Sequence, residues 1–380
     1  MSKADYKRLG DYIREVNVRN RELKVTKLVG LTIDKAFIPS VANVIGTDLS
    51  NYKVIQKEQF ACSLMQVSRD GKMPVAMFEE DAAIMSPAYP MFEVIDKTAL
   101  MPQYLMMWFS RSEFDREASY YAVGGVRGSL TWEDFCNMRL PIPSITRQRE
   151  IVSEYETLTN RIHLNNQMIQ HLEATAQALY RKTFVDNIDK ENLPEGWRMG
   201  TIGEFCKEMK SGGTPSRSHN EYWDKKDYPW LKSGEVHNNI IVSVEESISQ
   251  SGLDNSSAKI IPQGSVIMAM YGATAAQVAY LDCDTTTNQA CCNMICNSKE
   301  DAAYLFFHLL ANQDDIKKLA NGGAQENLSQ ELIAQQFILI INDNNMKSLF
   351  VPILDNLIVR YKENEELTEL QSLLLAKMGQ

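Results

Sequence analysis

The sequence predicts a mixed α/β protein of the α+β kind, in which two similar globular domains are each followed by one long helix. Three observations predict it. Residues 120–143 recur at 318–341, two stretches carry heptad spacing without Gly, and the segments before them are short apolar runs divided by turn residues. With 380 residues, 44% of them hydrophobic, the chain is long enough for two domains with separate cores.

The first domain is expected over residues 1–143. Its apolar runs "FACSLMQV", "AAIM" and "YLMMWFS" are too short for long helices and are punctuated by Gly, Pro, Ser and Asp, which suggests strands with a few helices. No regular alternation of strand and helix is evident.

The central helix is expected over 144–187, after the breaker "LPIPS". Ile151, Tyr155, Leu158, Ile162, Asn165, Ile169, Leu172, Ala176 and Leu179 follow the four-and-three rhythm of a coiled-coil seam. About 40 helical residues at 1.5 Å each give a rod of roughly 60 Å, which is a spacer rather than a cap.

The second domain is expected over 188–341, with the runs "VIMAMYG", "CCNMIC" and "AYLFFHLL". "TIGEFC" (201–206) echoes "RLGDYI" (8–13), and "KIIPQGSVIMAM" (259–270) echoes "KVIQKEQFACSLM" (53–65). The strongest match places Gly124-Gly125 on Gly322-Gly323, Leu130 on Leu328, Glu133 on Glu331 and Leu140 on Ile338. A unit of about half the chain used twice makes a pseudo-twofold repeat, too long and too few for a solenoid.

The C-terminal helix is expected over 342–380, its seam formed by Phe350, Ile353, Leu357, Tyr361, Asn364, Leu367, Leu370, Leu374 and Met378. Each helix presents one apolar stripe and lacks a partner in its own segment. The two most simply pack on each other, with Asn165 and Asn364 fixing register and direction.

Composition removes several classes of function. The N-terminus lacks an apolar leader and no run of 18 apolar residues occurs, so neither a signal peptide nor a membrane partner is expected, and the location should be cytoplasmic. Seven cysteines without a CxxC pair read as reduced thiols rather than as a disulfide framework or zinc site. The net charge of −10 argues against nonspecific nucleic-acid binding, although residues 207–232 hold six basic against four acidic residues. There is no GxG, Walker loop, HExxH or GxSxG, and no histidine sits at triad or metal spacing.

"KSGGTPSR" (210–217) is the densest glycine loop. Its backbone N–H groups and the side chains of Lys210, Thr214, Ser216 and Arg217 can meet an anion, but Pro215 follows where a Walker loop would enter a helix. Taken alone it also reads as a surface turn. Trp223, "YPWLKSGEV", "MAMYGAT" and "TTNQACC" interleave aromatic, basic and amide groups downstream, a composition suited to nucleic acid.

"LPEGWRMGTIGEF", "KSGGTPSRSHNEYWD", "YPWLKSGEV", "IMAMYGAT", "TTNQACC" and "RQREIV…LNNQMIQHLEATAQALYRKTF" together resemble the specificity subunit of type I restriction-modification enzymes. The resemblance extends over essentially the whole chain, most specifically in the second half and the first helix; in 1–143 it rests mainly on "GGVRGSLTWEDF" and "LPIPSITRQREI". It implies two target-recognition domains, each reading one half of a split target in double-stranded DNA, and an antiparallel coiled coil that sets the gap. It also implies a chain without an active site or bound cofactor. Two modification subunits would carry S-adenosylmethionine and methylate adenine, and restriction subunits would use ATP and Mg²⁺ to translocate and cut.

On that reading the N–H groups of Gly212 and Gly213, with Lys210, Thr214, Ser216, Arg217 and Lys232, are expected to hold phosphates. Tyr271, Asn288 and Gln289 are expected to read bases, amides being able to pair bidentately with adenine. In the first domain the expected DNA contacts are Arg19, Arg21, Lys24, Arg69, Lys72 and Arg127. A coiled-coil scaffold for protein assembly, without DNA reading, is the alternative left open by the acidic charge.

Overall fold

The computed structural model describes residues 6–41, 46–65, 67–123, 129–186, 188–189, 191–320 and 327–379. It is a mixed α/β structure that divides into two compact units, Met1–Arg161 with Leu367–Gln380, and Ile162–Glu366. Arg127 and both Gly-Gly pairs of the repeat lie outside the described residues.

In the first unit a four-stranded sheet runs in the order Ile13–Glu15, Met91–Val94, Phe60–Cys62, Val75–Met77. Beside it, Lys53–Gln56 pairs with Ala82–Met85 and Val29–Leu31 with Phe37–Pro39, and a parallel bridge from Leu28 to Ile84 links the two pairs. The first strand, Tyr6–Arg8, pairs with the last, Arg139–Pro141. Phe60 stacks on Phe92 at 5.0 Å, and Phe109, Phe114 and Phe135 complete an aromatic core. Large rings close such a core efficiently because each buries 150–250 Å².

The second unit repeats this plan. Its larger sheet runs Glu208–Ser211, Cys291–Ile295, Val266–Ala269, Val278–Leu281, with Asn239–Ile241 added at the far edge. The other sheet runs Glu246–Ile248, Tyr228–Leu231, Thr285–Thr287, Ile260–Ile261, and Trp197–Thr201 pairs with Phe337–Ile341. The repeat extends to helix capping. Thr131 Oγ1 accepts the Asp134 N–H at 3.0 Å, and Ser329 Oγ accepts the Leu332 N–H at 3.2 Å.

Two apolar runs expected mainly as strands are helices. "YLMMWFS" lies in Pro102–Phe109, opened by a proline at the first helical position, and "AYLFFHLL" lies in Lys299–Ala311, capped by Ser298. Both are buried nearly all round, so their periodicity gives no amphipathic signature and only the caps mark them as helices.

The long helices are Ile145–Phe184 and Val351–Lys377. In the second unit Ile169, Ala176, Tyr180 and Phe184 share a core with Phe350, Leu354, Leu357 and Ile358. In the first unit Val152 and Met378 share a core. The seam of the C-terminal helix departs from the expected heptad: Leu354 and Ile358 are buried while Leu370 is 48% exposed. The reason is a second burial surface, since Phe350 also packs on Phe307 and Tyr304 of the globular part and widens the apolar face.

Candidate nucleic-acid interface

Strands Tyr228–Leu231 and Thr285–Thr287 lie parallel, with Trp230 opposite Thr286 and Leu231 opposite Thr287. Both therefore end at one edge, where Lys232 and Asn288 follow. Asn288 N–H donates to the Leu231 carbonyl at 3.0 Å, and the Asn288 amide reaches Ser233 Oγ at 3.4 Å. Gly213 N–H donates to the Thr287 carbonyl at 2.8 Å, which brings the glycine loop to the same edge. There Thr214 Oγ1 donates to Gln289 Oε1 at 2.5 Å. Thr274 Oγ1 donates to the Ser233 carbonyl at 3.1 Å, so the turn after Tyr271 joins them. Thr214, Lys232, Asn288 and Gln289 thus converge, with exposed Tyr271 opening the neighbouring turn.

The glycines have a different role from the one expected. The Gly213 N–H is spent on Thr287, and both Gly212 and Gly213 are buried, so neither offers its backbone to phosphate. A Cβ on Gly212 would stand 2.2 Å from the Thr287 oxygen, and one on Gly213 would stand 2.4 Å from the Ala258 nitrogen. Glycine is required here because two backbones meet where no side chain fits.

The aromatics also serve the loop. Trp230 is buried and its indole N–H donates to the Gly213 carbonyl at 2.9 Å, while the Trp223 N–H donates to the Ser216 carbonyl at 3.2 Å. Trp230 is therefore a clamp on the loop and not a stacking platform for bases. Arg217 lies 3.5 Å from the Trp223 ring centroid and 5.0 Å from that of Trp230, a cation–π contact on an edge-to-face indole pair that leaves the guanidinium at the surface.

The expected local excess of positive charge is neutralised in the free chain. Arg217 pairs with Glu246 at 2.7 Å, Lys232 reaches Glu245 and Glu246 at 3.1 Å, and Lys210 pairs with Glu208 at 2.8 Å. Burial opposes ionisation of Glu246, but hydrogen bonds from Arg217 and Lys232 outweigh it and hold the carboxyl below its usual range. Hydrogen bonds to Glu246 and then Glu245 push the Lys232 ammonium up. Ser216 Oγ shares a hydrogen bond with Ser218 Oγ at 2.7 Å and remains exposed.

In the first unit Arg19 donates to the Asn51 carbonyl at 2.6 Å and Arg21 to the Asn51 side chain at 3.1 Å, so these two gather at one loop. Lys24 pairs with Glu22, Lys72 with Asp34 at 3.3 Å, and Arg69 with Asp70 through two bonds of 2.6 and 3.0 Å. Exposed pairs of this kind are weak and exchangeable. The pairing Glu246 was missed by sequence reasoning; the signal available was the acidic doublet Glu245-Glu246 beside a basic loop.

Among the described residues no group of His, Cys, Asp and Glu could hold a metal ion, and no helix is long and apolar enough to cross a membrane.

A family model described as the type I restriction modification DNA specificity domain matches residues 194–372. The chain is 23% identical over 369 residues to the type I restriction enzyme HindI specificity subunit of Haemophilus influenzae, covering 76% of this chain and 79% of that one. It is also 23% identical over 311 residues to a type I restriction enzyme specificity subunit of Escherichia coli, covering 75% and 72%. Among solved structures, the S subunit of a type I restriction-modification system from M. genitalium aligns over 99% of this chain and 96% of that one, with a TM-score of 0.59 at 12% identity. At that identity the likeness speaks for the fold.

Proposed function

We propose that this chain is a type I restriction-modification specificity subunit, matched over residues 194–372 by the model of the DNA specificity domain, and that it reads a two-part target in double-stranded DNA. Its relatives are specificity subunits, and the chain is a non-catalytic subunit of such a system. Each globular domain, 1–143 and 188–341, reads one half of the target. The helices of 144–187 and 342–380 pair antiparallel and set the gap.

The observation that carries this reading is the convergence of Thr214, Lys232, Asn288 and Gln289 at the shared end of two parallel strands, with Arg217 and Tyr271 in the adjoining loops. Cations beside amides and a phenol suit a duplex, the cations positioning on phosphate and the amides discriminating bases. Thr214, Ser216, Arg217, Lys210 and Lys232 take the phosphate role; Arg19, Arg21, Lys24, Arg69 and Lys72 take it in the first domain. When DNA arrives, phosphates replace Glu245 and Glu246 as partners of Arg217 and Lys232.

Antiparallel pairing is supported within each unit. Phe350, at the start of the second helix, packs on Tyr180 and Phe184 at the end of the first, and Met378 shares a core with Val152. Two modification subunits carrying S-adenosylmethionine methylate adenine at the site this chain selects, and restriction subunits supply the ATP- and Mg²⁺-dependent steps.

The test is selection of bound duplexes from a random pool by the chain assembled with its modification subunits. A motif of two fixed halves around an unread gap is expected. Retention of all sequences alike would leave the chain as a coiled-coil scaffold.

A further inference from the structure

The strand registers of the two units supply a residue-by-residue correspondence. Phe60 pairs with both Phe92 and Met77, as Val266 pairs with both Met294 and Tyr280. Phe60 thus corresponds to Val266, and counting five residues on places Met65 at the position of Tyr271. Phe92 corresponds to Met294, and counting six back places Ser86 at the position of Asn288. Independently, Ile84 bridges Leu28 in parallel and pairs with Val54, as Thr286 pairs in parallel with Trp230 and antiparallel with Ile260. Leu28 therefore corresponds to Trp230, and Gly30 to Lys232.

Gly30, Met65 and Ser86 are far apart in the chain, yet all three line one concave site of about 250 Å³ in the first unit, together with Tyr52 and Tyr89. The site is built. The buried Lys53 ammonium donates to the Tyr89 carbonyl at 2.8 Å and fixes the turn after strand Ala82–Met85. Arg19 and Arg21 are bonded to Asn51, next to Tyr52, and so stand beside the lining where phosphates would pass.

We propose that the concavity lined by Gly30, Tyr52, Met65, Ser86 and Tyr89 is the base-reading site of the first domain and takes the thymine-bearing edge of its half-site. The inference rests on the DNA-reading function proposed above and adds the residues and the chemistry of the first half. Where the second domain offers Tyr271 and Asn288 to bases, the first offers a thioether and a single hydroxyl, and at the position of the phosphate-holding Lys232 it has no side chain. That lining lacks the amide or guanidinium that pairs bidentately with adenine or guanine, whereas apolar contact with a thymine methyl and single hydrogen bonds from hydroxyls fit it. The two halves of the target are read by different means on one scaffold.

The experiment maps modified adenines across a genome for the full chain with its modification subunits, comparing Met65→Ala and Ser86→Ala with Asn288→Ala. The two first-domain variants should relax base preference by roughly tenfold at one or two positions of one half, the scale of a single base contact. The other half and the gap stay as they are, and Asn288→Ala alters that other half. Both halves unchanged in Met65→Ala and Ser86→Ala would overturn the assignment while leaving the DNA-reading function standing; a wild-type target without two halves would overturn that function instead. Met65 is 61% exposed, so its variant is expected to fold, and it decides alone if melting shows Ser86→Ala unfolded. A folded variant that no longer supports modification is scored by duplex selection, where loss of preference in one half supports the assignment and retention in both overturns it.

Discussion

Asn165 donates its amide N–H to the Asn364 side-chain oxygen at 3.0 Å, pairing the two long helices through a polar layer. Asn364 in turn donates to Asn166 at 2.8 Å, and Arg360 donates to Asn165 at 3.2 Å. Asn165 is fully buried, so its polar atoms have these partners in place of water. Removing one partner leaves a buried group unsatisfied, which costs about 1–3 kcal/mol. Asn165→Ala is therefore expected to lower the unfolding free energy extrapolated from urea denaturation by that amount, whereas Asn165→Leu combined with Asn364→Leu should restore or exceed wild-type stability, since a seam asparagine trades stability for register.

The carboxylates facing Arg217 and Lys232 set the DNA affinity. Glu246→Gln should strengthen binding of the assembled complex to any duplex, because it removes the carboxylate paired with Arg217 and leaves Lys232 only Glu245. Arg217→Glu with Lys232→Glu should weaken it across all sequences and lower the slope of log K against log salt by about 1.8, the value for two phosphate contacts. Fluorescence anisotropy at several salt concentrations measures both.

Gly212→Ala and Gly213→Ala place a Cβ 2.2 to 2.4 Å from neighbouring backbone, too close to be absorbed by a side-chain rotation. Each is expected to destabilise the second unit by about 1–3 kcal/mol, in the range for overpacking. Gly234→Ala is the control, since nothing lies within 4 Å of its Cβ, and its thermal melt should match wild type.

His308 is buried, with its Nδ1 2.6 Å from the Tyr180 hydroxyl, and burial pushes its imidazole down to about 4. In the unfolded chain the same group protonates near pH 6.5. Between those values the unfolded state binds more protons, so stability is full above about pH 6.5 and falls as the pH is lowered towards 4, by roughly 3 kcal/mol for this residue. Urea midpoints at pH 7 and pH 5 should differ more for the wild type than for His308→Gln, which keeps a polar side chain without that titration.

If the helices act as a ruler, inserting four residues into each, about 6 Å of helix, should lengthen the unread gap by one to two base pairs. Sequencing of bound duplexes reads the gap directly, and an unchanged gap excludes that role.

The long helices were legible because heptad spacing recurs in two stretches without Gly, and the repeat was legible because Leu130, Glu133 and Leu140 match Leu328, Glu331 and Ile338 at one offset. The helices Pro102–Phe109 and Lys299–Ala311 were not, because burial on all sides erases amphipathic periodicity. In the candidate site, residue types revealed the basic loop and the amides. They could not reveal that Gly213 is bonded to Thr287, nor that Glu246 sits between Arg217 and Lys232, because both depend on strands brought together from distant parts of the chain. The correspondence of Ser86 with Asn288 was hidden for the same reason: it resides in the ladders, while the side chains at the two positions have diverged.

Long-read mapping of modified adenines, in cells that make the modification subunits with and without this chain, tests the central claim most directly. The account predicts adenines modified in a two-part motif with a fixed gap when the chain is present, and loss of that motif when it is absent. The same motif, modified to the same extent without the chain, would contradict it.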